Sequence, residues 1–173
     1  MQVMRNTEVV MDKVKRVALV AHDSKKADLV EWAKFNRELL AKHEVFATGT
    51  TGQILESELG FSVTKLQSGP LGGDQQLGAL IVEGFIDLLV FLWDPLTSVA
   101  HDSDVRALER IAAVWNIPLA SNRASADFMI SSLLMEESYK RLVPDYNKYR
   151  QRRTPAREDT PSPLPSGATK RAA

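Results

Sequence analysis

Three features of the amino-acid sequence predict an α/β fold. Short apolar runs, of which residues 17–21 and 86–92 are the clearest, have the continuous pattern of strands that are buried on both faces. Segments with apolar residues at helical spacing separate these runs, as in βαβ units with parallel strands. Clusters of Gly, Thr, Asp and His follow the runs, where parallel strands end. We therefore expect a three-layer α/β/α domain of the flavodoxin/Rossmann-like type, with a single, mainly parallel five-stranded sheet and helices on both faces.

The strands are predicted from their residue types and from the turns that end them. The first two runs are short and apolar throughout, whereas the third alternates only weakly. The fourth is the strongest, because it contains β-branched and aromatic side chains, and Pro95 prevents its ladder from continuing. The fifth is only three residues long. In chain order, the predicted strands occupy residues 17–21, 45–47, 61–65, 86–92 and 118–120.

The helices between the strands are predicted from stripes of apolar residues. In the first, Leu29 and Trp32 begin such a stripe, and the fourth has an equally clear apolar face. Gly60 and Gly84 end the second and third, since glycine readily adopts the left-handed conformation that follows a helix. The predicted helices occupy residues 25–43, 53–59, 74–82, 102–115 and 122–132, and residues 142–146 stay ambiguous.

The composition excludes several classes of function. The chain is 44% hydrophobic and 25% charged, which is typical of one soluble domain, and its formal net charge of zero indicates no bulk attraction to nucleic acid or to an anionic membrane. It has no cysteine, which excludes disulfides, thiolate catalysis and cysteine metal sites. The N-terminal residues lack the apolar core of a signal peptide, and the most apolar run, residues 85–93, is too short to cross a membrane. We expect a cytoplasmic protein.

The sequence divides into three segments. Residues 1–14 form an N-terminal extension in which charged and apolar residues alternate. Residues 15–153 contain every predicted strand and helix, and form the main domain. Residues 154–173 hold four of the eight prolines among Ser, Thr and charged residues, which predicts a disordered Pro-rich tail.

The loop at residues 68–74 is the centre of the predicted site. In open α/β sheets, ligands bind beyond the carboxyl ends of the strands, and this loop follows the third predicted strand. Its glycines allow the backbone to approach a ligand closely, and the start of the next helix favours an anion. Asp74 stands at that helix start. The residue types alone leave open whether Asp74 caps the helix or acts as a catalytic base.

A second loop, Thr-Gly-Thr-Thr-Gly at residues 48–52, is a plausible phosphate cradle. Its hydroxyls and backbone N–H groups would face an anion at the start of a helix. It lacks the Gly-Lys-Ser/Thr of a Walker A motif and the Gly-x-Gly-x-x-Gly of a dinucleotide site. Taken alone, a turn with a capping threonine is the better explanation. Lys26 could reach the same anion, but taken alone it is better explained as a solvated lysine in the first turn of a helix.

Further titratable residues follow other predicted strands at the same edge. His22 and Asp23 follow the first strand, and His101 and Asp104 lie where the fourth helix begins. They have ordinary explanations as turn and capping residues, but side chains from different strand ends can converge for catalysis. The same four could bind a metal, although no pair has the spacing of ligands on a helix.

Six short motifs follow one another along the main domain. They are Val-Ala-His-Asp at 20–23, Ala-Thr-Gly-Thr-Thr-Gly at 47–52, Ser-Gly-Pro-Leu-Gly-Gly-Asp-Gln-Gln at 68–76, Phe-Leu-Trp-Asp-Pro at 91–95, His-Asp-Ser-Asp at 101–104 and Val-Trp-Asn-Ile-Pro at 114–118. In this order they closely resemble the motifs of the methylglyoxal synthase family, and the match covers about residues 15–153. Any one motif is weak evidence, whereas six in register are strong.

The resemblance implies a carbon–oxygen lyase that converts dihydroxyacetone phosphate into methylglyoxal and inorganic phosphate, without a cofactor or metal. It makes Asp74 the general base and acid, with His101 and Asp104 as further catalytic residues. It assigns the binding of substrate and phosphate to His22, Asp23, Lys26, Thr48, Gly49, Thr50, Thr51, Ser68, Gly69, Asp94 and His101.

The resemblance also implies an assembly and a mode of regulation. The family forms homohexamers that inorganic phosphate, the product, inhibits cooperatively, and Arg153 matches an arginine implicated in communication between subunits. Neither nucleic acid nor a membrane is an expected partner. The alternative is a regulatory module of the same fold that binds phosphate or a phosphometabolite. Such a module would keep the anion cradle and lose the catalytic acid.

Overall fold

The structure is a computed structural model that describes residues 6–97 and 102–147. Within these residues, seven strands and six helices follow one another along the chain. The strands are β1 (Asn6–Met11), β2 (Arg16–Ala21), β3 (Glu44–Thr48), β4 (Val63–Leu66), β5 (Leu88–Leu92), β6 (Leu119–Ala120) and β7 (Tyr139–Pro144). The helices are α1 (Lys26–Phe35), α2 (Arg37–Leu40), α3 (Gly49–Leu59), α4 (Gly73–Val82), α5 (Asp102–Val114) and α6 (Arg123–Ile130).

Five of the strands form the parallel sheet that the sequence predicts. Their order is β4-β3-β2-β5-β6, and every neighbouring pair is parallel. From β2 the chain proceeds to β3 and β4 on one side, then crosses over to β5 and β6 on the other. A crevice therefore opens between the carboxyl ends of β2 and β5, the place where open α/β sheets bind ligands. The predicted fold class is confirmed.

Both faces of the sheet are covered by helices. Side chains alternate along each strand, so Leu19 and Val90 pack on one face with apolar residues of α1, α3 and α6. Val20 and Phe91 point to the other face and pack with α4 and α5. The two resulting cores make the three layers of the domain.

One predicted helix is in fact two. The apolar stripe predicts a single helix over residues 25–43, but α1 and α2 are separated at Asn36. The Asn36 side chain donates a hydrogen bond to the carbonyl of Trp32 at 2.9 Å, and such local bonds compete with a regular helix.

Among residues 6–97 and 102–147, no helix has both the length and the apolar character of a membrane span.

A second, two-stranded sheet lies outside the sequence prediction. β1 pairs with β7 in antiparallel register, so a strand forms within residues 1–14, and another covers part of the ambiguous segment 142–146. Four of the six residues of β1 and three of the six residues of β7 are exposed, which leaves little apolar alternation in the sequence. Met11 is an exception, because it is 2% exposed and belongs to the core under α1. The boundaries of the three predicted segments, after residues 14 and 153, stay a prediction.

Charged side chains are buried at the amino-terminal edge of the parallel sheet. Asp87, immediately before β5, accepts two hydrogen bonds from the Arg16 guanidinium. Nε donates to Oδ2 and Nη2 donates to Oδ1, both at 3.0 Å. Arg141 of β7 donates through Nη1 to the carbonyl of Trp115 at 2.8 Å, which ties the antiparallel sheet to the end of α5. Burial lowers the pKa of the Arg141 guanidinium. The Arg16–Asp87 pair joins β2 to β5, and the Arg141 bond attaches β7, with its partner β1, to the main domain.

We expect Arg16→Leu to destabilise the protein far more than Lys34→Leu. The Asp87 side chain is 2% exposed, so loss of Arg16 leaves a buried carboxylate without its bidentate partner, at a cost of about 3–5 kcal/mol. Lys34 pairs with Glu58 at 2.7 Å on the surface, and such pairs contribute about 0–1 kcal/mol. Urea unfolding of both variants measures the difference. Equal losses would show that the buried pair contributes no more than a surface pair.

Candidate active site

A cavity of about 330 Å³ lies beyond the carboxyl ends of the parallel strands. Its wall combines the end of β2, the loops that follow β3 and β4, and the first turn of α4. Ten of the predicted site residues line it, together with Val20, Ala21, Pro70 and Phe91. The ten are His22, Asp23, Lys26, Thr48, Gly49, Thr50, Thr51, Ser68, Gly69 and Asp74.

Asp74 is not the N-cap residue of α4. Gly72 is the N-cap of α4, with φ of 96°, and no side chain accepts a capping hydrogen bond there. Asp74 lies in the first turn of α4 and is only 4% exposed. The sequence left two roles open for this carboxylate, and the capping role is excluded. Asp74 lines the cavity, which is compatible with a general base, and that role stays a prediction.

The loop before Asp74 can be built only with glycine at residue 73. Backbone N–H groups of Leu71 and Gly73 both donate to the carbonyl of Ser68, at 3.0 and 2.9 Å. A Cβ at Gly73 would overlap the carbonyl of Gln67, and backbone atoms cannot move away as a flexible side chain can. The tight loop therefore brings the start of α4 against the end of β4.

The 48–52 loop belongs to α3, which starts at Gly49 rather than at residue 53. Thr48 is its N-cap residue but makes no capping hydrogen bond through its side chain, so the capping explanation is not supported. Gly49 has φ of 43°, and a Cβ there would lie 2.7 Å from the Cα of Ser68. The two loops are thus in direct backbone contact. The starts of α3 and α4 face the same cavity, where their N–H groups favour an anion.

Lys26 is held beside this cradle. Its Nζ lies 2.7 Å from Oγ1 of Thr50 and 2.6 Å from Oδ1 of Asp23. The Asp23 side chain is 95% exposed, so that ion pair is ordinary for a surface lysine, whereas the bond to Thr50 brings the ammonium group to the 48–52 loop. The ammonium group is positioned to neutralise an anion that also contacts the Thr50 hydroxyl.

His22 is buried at the crevice between β2 and β5. It is 6% exposed, its backbone N–H donates to the Leu92 carbonyl at 3.1 Å, and its Nδ1 accepts the N–H of Asp94 at 3.3 Å. Phe91 and Trp93 approach the imidazole edge-on, with ring centroids 5.5 and 6.4 Å away. Hydrogen bonds and aromatic packing therefore restrict its ring to one orientation.

Two predicted site carboxylates lie elsewhere in the structure. Asp94 follows β5, outside the cavity wall, and accepts hydrogen bonds from Leu96 N–H at 3.0 Å and Thr97 Oγ1 at 2.9 Å. These two bonds, with a weaker one from Ser24 Oγ, lower the pKa of the Asp94 carboxyl. Asp104, on α5, lines a neighbouring groove between α4 and α5, which it shares with Asp74. His101 and Arg153 lie outside the described residues.

Four cavity residues were missed as site residues, although all lie within quoted motifs: Val20, Ala21, Pro70 and Phe91. Pro70 shapes the loop before α4, and Phe91 forms part of the cavity wall from β5. Phe91 pairs in register with Val20 of β2, which also lines the cavity. Strand alternation marks such residues as buried but cannot show that they border a ligand site.

In residues 6–97 and 102–147, no three His, Asp or Glu side chains are grouped so as to hold a metal ion.

The fold and the cavity define a doubly wound α/β domain with a small polar site at its topological switch point. Comparison with known proteins makes the class specific. Residues 28–121 match the family described as "MGS-like domain". The chain is 56% identical over 146 residues to methylglyoxal synthase of Photorhabdus laumondii, covering 84% of this chain and 96% of that protein. It is 55% identical over 151 residues to methylglyoxal synthase of Vibrio cholerae, covering 87% and 100%.

A solved structure agrees with these relatives. The crystal structure of methylglyoxal synthase from Elizabethkingia anophelis superposes with a TM-score of 0.82 at 48% identity, over 86% of this chain and 98% of that one. An identity of 48% indicates a shared family as well as a shared fold. The chain belongs to the methylglyoxal synthase family.

We expect Gly73→Ala to damage the site, whereas Gly84→Ala damages only stability. At Gly73 the new Cβ would push the 67–68 backbone away and displace the groups that face the cavity, so inorganic phosphate should bind less tightly. Gly84 has φ of 79°, and a Cβ added there would meet no atom within 4 Å, so alanine costs about 1–2 kcal/mol of backbone strain alone. Calorimetric titration with inorganic phosphate and thermal unfolding measure the two effects. Unchanged phosphate affinity in Gly73→Ala would contradict the role of the loop.

Proposed function

We propose that this chain is a carbon–oxygen lyase that converts dihydroxyacetone phosphate into methylglyoxal and inorganic phosphate. One observation carries the proposal: a single cavity brings the buried carboxylate of Asp74 together with the Lys26–Thr50 anion cradle. A base and a phosphate cradle in one small cavity suit a phosphorylated substrate with an acidic carbon-bound proton. The cavity is at the small end of ligand sites, as a three-carbon phosphate requires.

The reaction requires a base, a donor to oxygen and a site for the leaving group. The Asp74 carboxylate removes a proton from the hydroxymethyl carbon, and the electron pair moves onto the carbonyl to give an enediolate. The terminal hydroxyl of the enediolate then gives up its proton to become the aldehyde carbonyl, and the electron pair expels phosphate, which takes up that proton, by breaking the carbon–oxygen bond. The enolate that remains takes the proton back from Asp74 at its methylene carbon and becomes methylglyoxal.

Each step has residues in this chain that suit it. A hydrogen-bond donor at the carbonyl oxygen stabilises the developing enediolate, and the resemblance assigns this contact to His101, with His22 also binding substrate. The ammonium of Lys26 and the hydroxyls and amides of residues 48–51 stabilise the phosphate as it leaves. Asp104 is proposed as a further catalytic carboxylate on the α5 side of Asp74.

We also propose a homohexamer that phosphate inhibits cooperatively, with Arg153 in communication between subunits, and a cytoplasmic location. These proposals rest on the family resemblance. Normal cooperativity towards phosphate in Arg153→Ala would remove the role of that arginine. No cofactor or metal enters the proposed reaction.

The direct test is to incubate the purified protein with dihydroxyacetone phosphate in the presence of a chelator and to measure methylglyoxal and phosphate. We expect equal amounts of both. Phosphate binding without turnover would favour the alternative, a regulatory module of the same fold. Activity that appears only after a divalent metal is added would favour a metal site that includes His22 and Asp23.

We expect Asp74→Asn to lower kcat by about 10²–10⁴-fold, the usual contribution of a general base. Because the amide keeps nearly the same shape and Asp74 is not the N-cap, inorganic phosphate should bind with an affinity within about twofold of the wild type. Glu83→Gln, at the exposed end of the same helix, is the matched control and should keep full activity. Loss of both turnover and phosphate binding in Asp74→Asn would instead indicate a structural role.

A further inference from the structure

The loop after β5 is joined to His22 by a hydrogen bond that replaces a step of the parallel ladder. The backbone N–H of His22 donates to the carbonyl of Leu92 at 3.1 Å, as in a regular ladder. In a parallel pair, the carbonyl of His22 would next accept the N–H of Asp94. That carbonyl instead accepts the N–H of Lys25 at 2.8 Å, and the Asp94 N–H donates to Nδ1 of the imidazole at 3.3 Å.

This bond determines which nitrogen of the neutral imidazole carries the proton. A backbone amide can only donate, so Nδ1 must be the acceptor, and the ring proton must be on Nε2. Phe91 and Trp93 pack edge-on against the ring and prevent it from turning over. His22 therefore presents a hydrogen-bond donor at Nε2.

The Asp94 carboxylate holds the amide in place. Its Oδ1 accepts the N–H of Leu96 at 3.0 Å, and its Oδ2 accepts the hydroxyls of Thr97 at 2.9 Å and Ser24 at 3.3 Å. The first two bonds close the loop on itself. The third reaches the segment two residues after His22, so one carboxylate connects both sides of the crevice.

We propose that Asp94 is a positioning residue for His22 rather than a direct ligand of the substrate. Its carboxylate fixes the loop, the loop fixes the Asp94 N–H, and that N–H keeps His22 in the tautomer that donates to a substrate oxygen. The opposite tautomer would present a lone pair to a substrate oxygen and repel it as negative charge develops. The catalytic consequence rests on the proposed function, whereas the tautomer itself does not.

The test combines Asp94→Asn and Asp94→Ala with a spectroscopic readout. The chain has three histidines, so nitrogen-15 spectra of the imidazoles resolve few signals, and a His22→Asn variant assigns those of His22. We expect the wild type to show the Nε2–H tautomer and Asp94→Ala to show a mixture. Asp94→Asn keeps an acceptor for Leu96 N–H and should be intermediate. Asp28→Asn, which breaks only an exposed pair with Lys25, is the matched control and should leave the spectrum unchanged.

Kinetics separate positioning from direct binding. We expect Asp94→Ala to lower kcat about tenfold or more, with phosphate affinity within about twofold of the wild type, because only the orientation of a catalytic donor is lost. Thr97→Val removes a single bond to the carboxylate and provides a milder variant if Asp94→Ala unfolds. A wild-type tautomer in Asp94→Ala, or a raised KM with unchanged kcat, would overturn the proposal. If the wild type forms no methylglyoxal, the proposed function fails, and the tautomer comparison still decides whether Asp94 positions His22.

Discussion

The candidate site depends on the parallel register of β2 with its two neighbours. Leu19 pairs with Ala47 of β3, and Ala21 pairs with Leu92 of β5. Because the strands run in the same direction, the residues that follow them meet at one edge, which places His22 next to the loop after β5. Because β2 is buried on both faces, a shift of one residue would exchange the side chains that the two cores receive and disturb the packing of both. The energetics of the core therefore specify which polar residues meet at the crevice.

Close contact between backbones completes the site. Gly49 and Gly73 allow the loops after β3 and β4 to touch, and a larger residue at either position would collide with the 67–68 backbone. This contact directs the first turns of α3 and α4 into the same cavity. Each helix start is equivalent to roughly half a positive charge. Together with Lys26, they offset the negative charge of nearby carboxylates, as the phosphate site of the proposed function requires.

The sequence predicts the parts of this protein that depend on a strong local signal. The parallel strands are buried on both faces, so their apolar runs are visible, and the polar turns after them mark ten residues of the cavity wall. The sheet of β1 and β7 is mostly exposed, and only tertiary contacts such as the Arg141 bond to Trp115 reveal its place. The break at Asn36 was missed because one buried amide does not alter the apolar stripe. The motif around Asp94 suggested a ligand, but a carboxylate satisfied by its own loop can be recognised only in three dimensions.

Two histidines, at opposite edges of the sheet, each accept a backbone N–H through Nδ1, with different consequences. At the amino-terminal edge, Nδ1 of His43 accepts the N–H of Lys15 at 3.2 Å, as Nδ1 of His22 accepts that of Asp94 at the other edge. Burial, and then the positive charges of Lys15 and Lys42, lower the pKa of His43, so a neutral ring is the form that suits this place. At both edges an imidazole replaces a backbone carbonyl as acceptor. Beside the start of β3 this arrangement serves the fold, because the candidate site lies at the opposite edge of the sheet. At the crevice, the same arrangement leaves an N–H donor on a ring whose orientation the fold has already determined.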